Sequence, residues 1–408
     1  MNDRINSNIP FVGLHAHSVA GSLFDALGYP PDHMDFAYEN GCDALALTDH
    51  GNANGLSHQV LHAKKMREQG RTFKPIFGCE AYFIPSISEW RDEYEKALED
   101  KKRAKSLGSE LSGATVEDEN SSKKVQDVLR RRRHLILLAQ NQTGLQNIFK
   151  LISESYKSEN FYRYPRMDYD LLAKYGEGVI AASACLGGVY AGNFWENREE
   201  GDEAVLNAMR ETTRRMVAIF GDRWYGELQW NNVPEQHKLN QFIIKMHEEF
   251  GIGLISTADS HYPNPDAWKD RELYKRLGWL GKAAPSYEST ELPIDVDEIG
   301  YELYPKNGDQ MWESYKKYSA ECGVEYDDDL VLQSIKHTHE IAHQRIEDFL
   351  PDNTVRLPDF VVPAGYTATQ ALVNMSIEGL RVKGFHNDKE YTERLRHELT
   401  VIDDRGFS

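Results

Sequence analysis

Two histidines one residue apart, His15 and His17, sit in the run FVGLHAHS (11–18). Alternate side chains of an extended strand share a face, so an HxH pair presents both imidazoles together. The pattern recurs far along the chain, where Asp259 and His261 close the run GLISTADSH (253–261). Between these, ALALTDH (44–50) ends on Asp49 and His50, PIFGCEAYF (75–83) carries Glu80 late in its length, and GVIAASAC (178–185) ends on Cys185. Imidazole and carboxylate together suit Zn²⁺, Mn²⁺ or Fe²⁺ rather than Ca²⁺. Carboxylates that bridge two such ions hold them about 3.5–4 Å apart, where the pair activates water and stabilises the leaving oxygen in phosphoryl transfer. A lone histidine at a strand end is ordinarily a hydrogen-bonded structural residue, but four or five recurrences are hard to assign to chance. The expected chemistry is metal-dependent hydrolysis of phosphodiester bonds, with His15, Glu80 and Asp259 as the catalytic residues.

Elements must hold these residues at one place. Besides the runs above, HLILLA (134–139) and WYGELQW (224–230) read as strands. Amphipathic patterns at 32–41, 56–70, 143–156 and 237–251 lie between them, the first closing on a Gly stop. Repeated β-α units predict an α/β fold, either an open doubly wound sheet or a closed barrel. In a β-α barrel, sites are assembled at the C-terminal ends of the strands, where most of these ligand types fall. His134 opens its run instead of ending it, so strand-end position supports it only if that strand runs antiparallel.

The β-α rhythm fills residues 1–265, interrupted at 86–133 by a charged, Ser-rich stretch read as a solvated insertion, part helix and part loop. Residues 266–356 read as a helical extension, with a helix over 330–346. Residues 357–408 read as an extended Pro-bounded linker (357–366) followed by helices over 368–384 and 391–407. The balance of 65 acidic against 47 basic residues, net −18, disfavours a broad sequence-independent DNA-binding surface. Bound cations and the basic clusters Lys101–Lys105 and Arg130–Arg133 soften that exclusion. No run reaches the roughly twenty apolar residues of a membrane helix, and the N-terminus has no secretory pattern. Four widely spaced cysteines with no CxxC pair fit a reducing cytoplasm.

The segments FVGLHAHS, LFDAL, ALALTDHGN, KPIFGCEAYF, RHLILLAQNQTGLQNIFKLIS, FYRYPRMDYDLL, EGVIAASACLGG, ELQWNNVPEQHKLN and STADSHY resemble the bacterial-type DNA polymerase III alpha subunits. The first domain of those subunits belongs to the PHP (polymerase and histidinol phosphatase) family. LPDFVVPAGYTA and ERLRHELTVIDDRGFS resemble the stretch leading into the polymerase palm. The resemblance implies a distorted seven-stranded β/α barrel followed by a smaller, mostly helical segment. It implies two or three divalent ions on His15, His17, Asp25, His50, Glu80, His134, Cys185, Asp259 and His261. The run from His17 to Asp25 is one residue longer than the family's HSxxSxxD pattern, and Ala26 stands where the family has Gly. A complete ligand set is associated in the family with a 3′–5′ exonuclease that proofreads, acting on single-stranded or frayed DNA 3′ ends beside the remaining polymerase and replisome subunits; the alternatives are a catalytically silent structural PHP domain that supports a polymerase and a stand-alone phosphatase on a small phosphate monoester. The resemblance places the polymerase's own carboxylates beyond Ser408, so the chain is expected not to polymerise DNA by itself.

Other residues invite simpler readings. Asp49 reads as a group orienting a ligand histidine. Arg163 and Arg166 are candidates for gripping a substrate phosphate, with a surface ion pair as the alternative. His58 and His62 read as a solvated helix face, and His237, His247, His337, His339 and His343 as surface or packing residues.

Overall fold

Short apolar runs without polar alternation, such as ALAL and VIAA, are what strands covered on both faces require. Every residue of Ala44–Leu47 (β1) and of Val179–Ala182 (β6) is buried. The computed structural model describes residues 4–110, 116–279, 302–352, 354–355 and 360–408. Its remaining strands are Lys74–Phe83 (β2), Arg133–Ala139 (β3), Phe161–Tyr162 (β4), Tyr164–Met167 (β5), Trp224–Gln229 (β7) and Gly253–Thr257 (β8). β1 pairs with β2, and the sheet continues through β3, β6 and β7 to β8. The run 13–16 closes the ring, bridging Gly13 to Leu45 on one side and Ala16 to Ser260 on the other. That run was expected to be a full strand; it makes only these isolated bridges, with His17 N–H donating to the Ser260 carbonyl at 2.7 Å. The fold is a distorted seven-stranded barrel with helices around it, and β4 and β5 form a small ribbon on the end of β2.

β3 runs antiparallel to both β2 and β6. Its N-terminal end therefore lies at the same barrel edge as the C-terminal ends of the other strands. His134 gains by this polarity the position that its place in the sequence denied it.

One apolar cluster contains Ala44, Ala46, Ile76, Ile136, Leu138, Ile180, Ala182, Tyr225 and Ile255, the alternate residues that fill the barrel. Side chains repeat with period two. Continuing each parity toward the mouth gives Ile76, Gly78, Glu80 on β2; Leu138, Ile136, His134 on β3; Tyr225, Glu227 on β7; and Ile255, Thr257, Asp259 after β8. The polar site thus stands on the apolar filling, on the same faces of the same strands. The opposite parity packs on the surrounding helices Gln142–Ser155, Asp202–Phe220 and Pro234–Phe250, through residues such as Leu137, Leu145, Trp224 and Phe242.

Two sequence expectations are corrected. Residues 86–133, expected as a solvated insertion of part helix and part loop, instead have a core of their own: Ile87–Glu110 and Val116–Arg130 are helices that pack on each other, with 111–115 outside the described residues. Ile84, Ile87, Trp90, Ala97, Val125, Val128 and Leu129 form their own buried cluster. The helix expected over 330–346 is α-helical only over Asp328–Glu340 and then widens into a π turn, Ile341–Arg345. That turn's Ile341 and Ala342 join the barrel's interior cluster.

The chain divides into two compact units, Met1–Pro351 and Asp352–Ser408. The first includes the helices Trp268–Trp279 and Gly308–Glu321 as well as the barrel. The second holds two helices, Ala368–Val382 and Lys389–Asp404, linked by a bond from the Thr369 hydroxyl to Asp403 at 2.6 Å. Residues 357–359 of the expected linker lie outside the described residues. No helix among the described residues is long and apolar enough to cross a membrane, and all four cysteines are free.

Candidate metal centre

All nine residues named from the sequence converge at the barrel mouth. Glu80 lies at its middle, fully buried on β2. Its Oε2 is 2.8 Å from His50 Nδ1, 3.1 Å from His17 Nε2 and 3.6 Å from His15 Nε2, and its Oε1 is 2.9 Å from His134 Nδ1. Asp259 Oδ1 lies 3.0 Å from His15 Nε2, 3.2 Å from His17 Nε2 and 3.5 Å from His261 Nδ1. Asp25 Oδ2 faces His50 Nε2 at 2.9 Å and His261 Nε2 at 3.3 Å. Cys185 Sγ is 3.7 Å from His134 Nδ1. The longer loop before Asp25 is absorbed by a tight turn, in which Asp25 and Ala26 N–H both donate to the Ser22 carbonyl and Phe24 takes a left-handed φ of 62°.

These contacts are short, yet many are not hydrogen bonds. Both Glu80 oxygens, Asp259 Oδ1 and His50 Nδ1 are buried without a hydrogen-bond partner. His15 Nε2 and His17 Nε2 face each other at 3.0 Å. Buried polar atoms left unpaired cost on the order of 1–3 kcal/mol each, so natural cores avoid them. Ligand atoms that converge on one buried place beyond what hydrogen bonds can satisfy are what cations require. The donor set divides into overlapping triads, His15–His17–Glu80, His17–His50–His261 and His50–Glu80–His134. Nitrogen and oxygen donors in that mixture fit divalent transition ions.

The electrostatics agree. Burial alone would push the Glu80 carboxyl up, but the charges of His134, His50 and His15 hold it well below the usual carboxylate range. Burial is likewise outweighed at Asp259 by His15 and His261, and at Asp25 by His261 and Arg271. Conversely, burial would lower His15, but Asp259, Glu227 and Glu80 raise it well above the usual imidazole value. Positive charge around them favours the ionised carboxylates, a charge that bound metal ions would supply in place of imidazolium protons.

A surrounding layer fixes the donors. Asp49 accepts from Ser18 N–H at 2.7 Å and from the Ser22 hydroxyl at 2.8 Å, and Ser22 Oγ is 3.3 Å from His17 Nδ1. Gly21 permits this, because a Cβ there would lie 2.5 Å from Asp49. Two members of the layer escaped sequence reasoning. Glu227 Oε1 is 2.7 Å from His15 Nδ1 and also accepts from Gln229 and Thr257, fixing the face that His15 turns to the centre. Arg271, from the helix Trp268–Trp279, donates to the Asp25 carboxylate and to the Asp25 backbone carbonyl, both at 2.7 Å. A Glu227→Gln change is expected to weaken metal binding by about 10–100-fold, the usual effect of losing a group that orients a ligand histidine. Competition against a chelator of known affinity would measure it, and unchanged affinity would remove Glu227 from the site.

Arg166 is corrected. It is buried, stacks on Trp90 with 4.2 Å to the ring centroid, and gives its donors to the carbonyls of Leu129, Arg131, Tyr162 and Tyr164. With its donors committed to backbone, it is a structural pin and does not reach a phosphate. Arg163 is exposed in the β4–β5 turn at φ 61°. His62, read as solvated, is half-buried and lies 2.9 Å from Asp35.

A PHP domain model matches residues 13–231, more than half of the chain, and the chain belongs to that family. Its homologues are DNA polymerase III alpha subunits. The chain is 32% identical over 405 residues to the DNA polymerase III subunit alpha of Aquifex aeolicus, a match covering 98% of this chain and 30% of that protein. The corresponding subunit of Borreliella burgdorferi is 30% identical over 399 residues, covering 97% of this chain and 29% of that protein. The chain therefore spans about 30% of the length of these curated relatives. Among solved structures, an amidohydrolase from Chromobacterium violaceum is 16% identical, covering 64% of this chain and 96% of that one, at a TM-score of 0.32.

Proposed function

We propose that His15, His17, Asp25, His50, Glu80, His134, Cys185, Asp259 and His261 hold two or three divalent ions (Zn²⁺, Mn²⁺ or Fe²⁺), and that the chain hydrolyses phosphodiester bonds at DNA 3′ ends. The observation that carries this reading is the convergence of buried imidazoles on carboxylate oxygens that have no hydrogen-bond partner. When bound, such ions acidify a water and neutralise charge on the phosphate. Glu80 and Asp259 lie between the histidine groups and are the natural shared ligands. His15, held by Glu227, and His17, held through Ser22 and Asp49, keep fixed orientations. Of the two arginines considered for gripping a phosphate, Arg163 is the exposed one.

Single-stranded or frayed 3′ ends suit the site because the donors lie within a barrel mouth that a duplex does not enter. That the relatives are DNA polymerase III alpha subunits supports a role beside a replicative polymerase, where 3′–5′ cleavage would remove misincorporated nucleotides and the remaining polymerase and replisome subunits would be the partners.

The test is digestion of a 3′-labelled single strand by the purified chain with Mn²⁺ or Zn²⁺. Release of 3′ nucleotides is expected. An intact 3′ end in a protein shown by elemental analysis to carry metal would sink the reading. Cleavage of p-nitrophenyl phosphate with no action on DNA would transfer the site to small phosphate monoesters.

A further inference from the structure

A second cluster of ligand types lies at the opposite end of the barrel. Asp43 immediately precedes β1, whereas His50 follows it, so the length of that strand, roughly 13 Å at 3.3 Å per residue, separates the two places. Asp43 meets two histidines from the far end of the same unit. His343 Nε2 lies 3.1 Å from Asp43 Oδ1 and His339 Nε2 lies 3.7 Å from Asp43 Oδ2. The two imidazole centroids are 4.3 Å apart, and the three ligand atoms all lie within 4.8 Å of one another. Among the described residues, these histidines are the ion-pair partners of Asp43; the neighbouring Arg71 and Arg345 are paired with Asp35 and Asp222.

The backbone holds the three in place. His339 is in the last turn of the helix Asp328–Glu340 and His343 is in the π turn that follows, four residues on. A π turn carries one more residue than an α turn, is rare, and is frequent at functional sites. This one is pinned to the barrel floor: the largely buried Lys74 ammonium donates to the carbonyls of Ala342 and Ile346, and Lys74 N–H donates to the Asp43 carbonyl at 2.8 Å. One lysine thus ties together both segments that carry the cluster. Each of the three side chains is about one-third exposed, which leaves room for water as a further ligand.

We infer that Asp43, His339 and His343 form a second divalent-metal site of the Zn²⁺ type, separate from the centre at the barrel mouth. Two imidazoles and one carboxylate with an open position match tetrahedral Zn²⁺ preferences. Two imidazoles sharing one carboxylate cannot both carry a proton without repelling each other, whereas a single ion satisfies both nitrogens and the oxygen. The site's role is mechanical. It joins residues 300 apart in sequence and clamps the π turn to the barrel floor, and such clips stabilise most when the loop that they close is long.

The test compares Zn²⁺ bound to the full chain and to a His339→Gln/His343→Gln variant, each stripped of metal, titrated with Zn²⁺ and desalted before elemental analysis. The parent chain is expected to hold one more equivalent than the variant. The affinity for that equivalent should fall by more than about 100-fold, since even groups outside the ligand sphere cost 10–100-fold. Asp43→Asn, which keeps the side-chain shape, should lose the same equivalent, and circular dichroism would verify that both variants fold. Equal stoichiometry in the folded variants and the parent overturns the site, because all of the zinc then belongs to the mouth.

Discussion

Replacing Asp259 by Asn is expected to reduce metal-dependent cleavage of a 3′-labelled strand by on the order of 10³-fold while the protein stays folded. The size follows from position. Asp259 Oδ1 stands within 3.5 Å of nitrogens from His15, His17 and His261, and the substitution removes its charge without changing its shape. The fold should tolerate it for a backbone reason. Asp259 has φ 49°, a left-handed conformation that Asn adopts more readily than most residues. Cleavage rate, bound metal and thermal midpoint measured together separate the possibilities. Loss of cleavage with an unchanged midpoint supports catalysis; undiminished cleavage removes Asp259 from the mechanism. Unfolding alone would favour a domain whose metal serves only stability.

Stripping the metal is expected to lower the thermal midpoint of the parent chain by on the order of 10 °C. Three mostly buried carboxylates and five imidazoles at the mouth are arranged around positive charge, and their unpaired atoms have no other partner. Each ion present at a thousand times its dissociation constant stabilises by about 4 kcal/mol, and each kcal/mol moves the midpoint of a unit of this size by roughly 1–2 °C, so two or three ions together give a shift on the order of 10 °C. Scanning calorimetry with and without a strong chelator measures the shift. A midpoint indifferent to chelation, with metal loss verified, would mean that the donors tolerate being empty.

What could be read in advance followed from short-range periodicity. His15 and His17, and Asp259 and His261, are pairs with period two, and their strands were visible as apolar runs. His134 needed the polarity of β3, which no local pattern discloses. Glu227 did carry a signal, since a Glu inside an otherwise apolar strand with the parity of Tyr225 must face inward, but WYGELQW was read only as a strand. Arg271 in WKDRELYKRLG looks like any charged helix surface, and only the tertiary contact with Asp25 distinguishes it. In the insertion, Trp90, Tyr94, Ala97 and Leu98, and later Val125, Val128 and Leu129, follow helical spacing. The surrounding charges masked that stripe. Arg166 was misread because a guanidinium that grips phosphate and one that caps backbone carbonyls look identical in sequence.

The antiparallel course of β3 also decides where the protein can grow. Phe83 and Arg133 are register partners, so the chain leaves β2 and re-enters β3 at adjacent points on the rim. In a wholly parallel barrel every connection must travel the full height of the wall, but here a turn of a few residues would suffice. The helical pair between them is therefore an appendage, replaceable by other modules without redrawing the barrel, and it is rooted on the same rim as the candidate metal centre. Its ties to the barrel include Arg166, whose donors end on Leu129 and Arg131, Asp168, which accepts from Ile87 N–H, and Leu171, which packs on the pair's buried cluster. A lineage or an engineer removing the pair would have to replace that arginine as well.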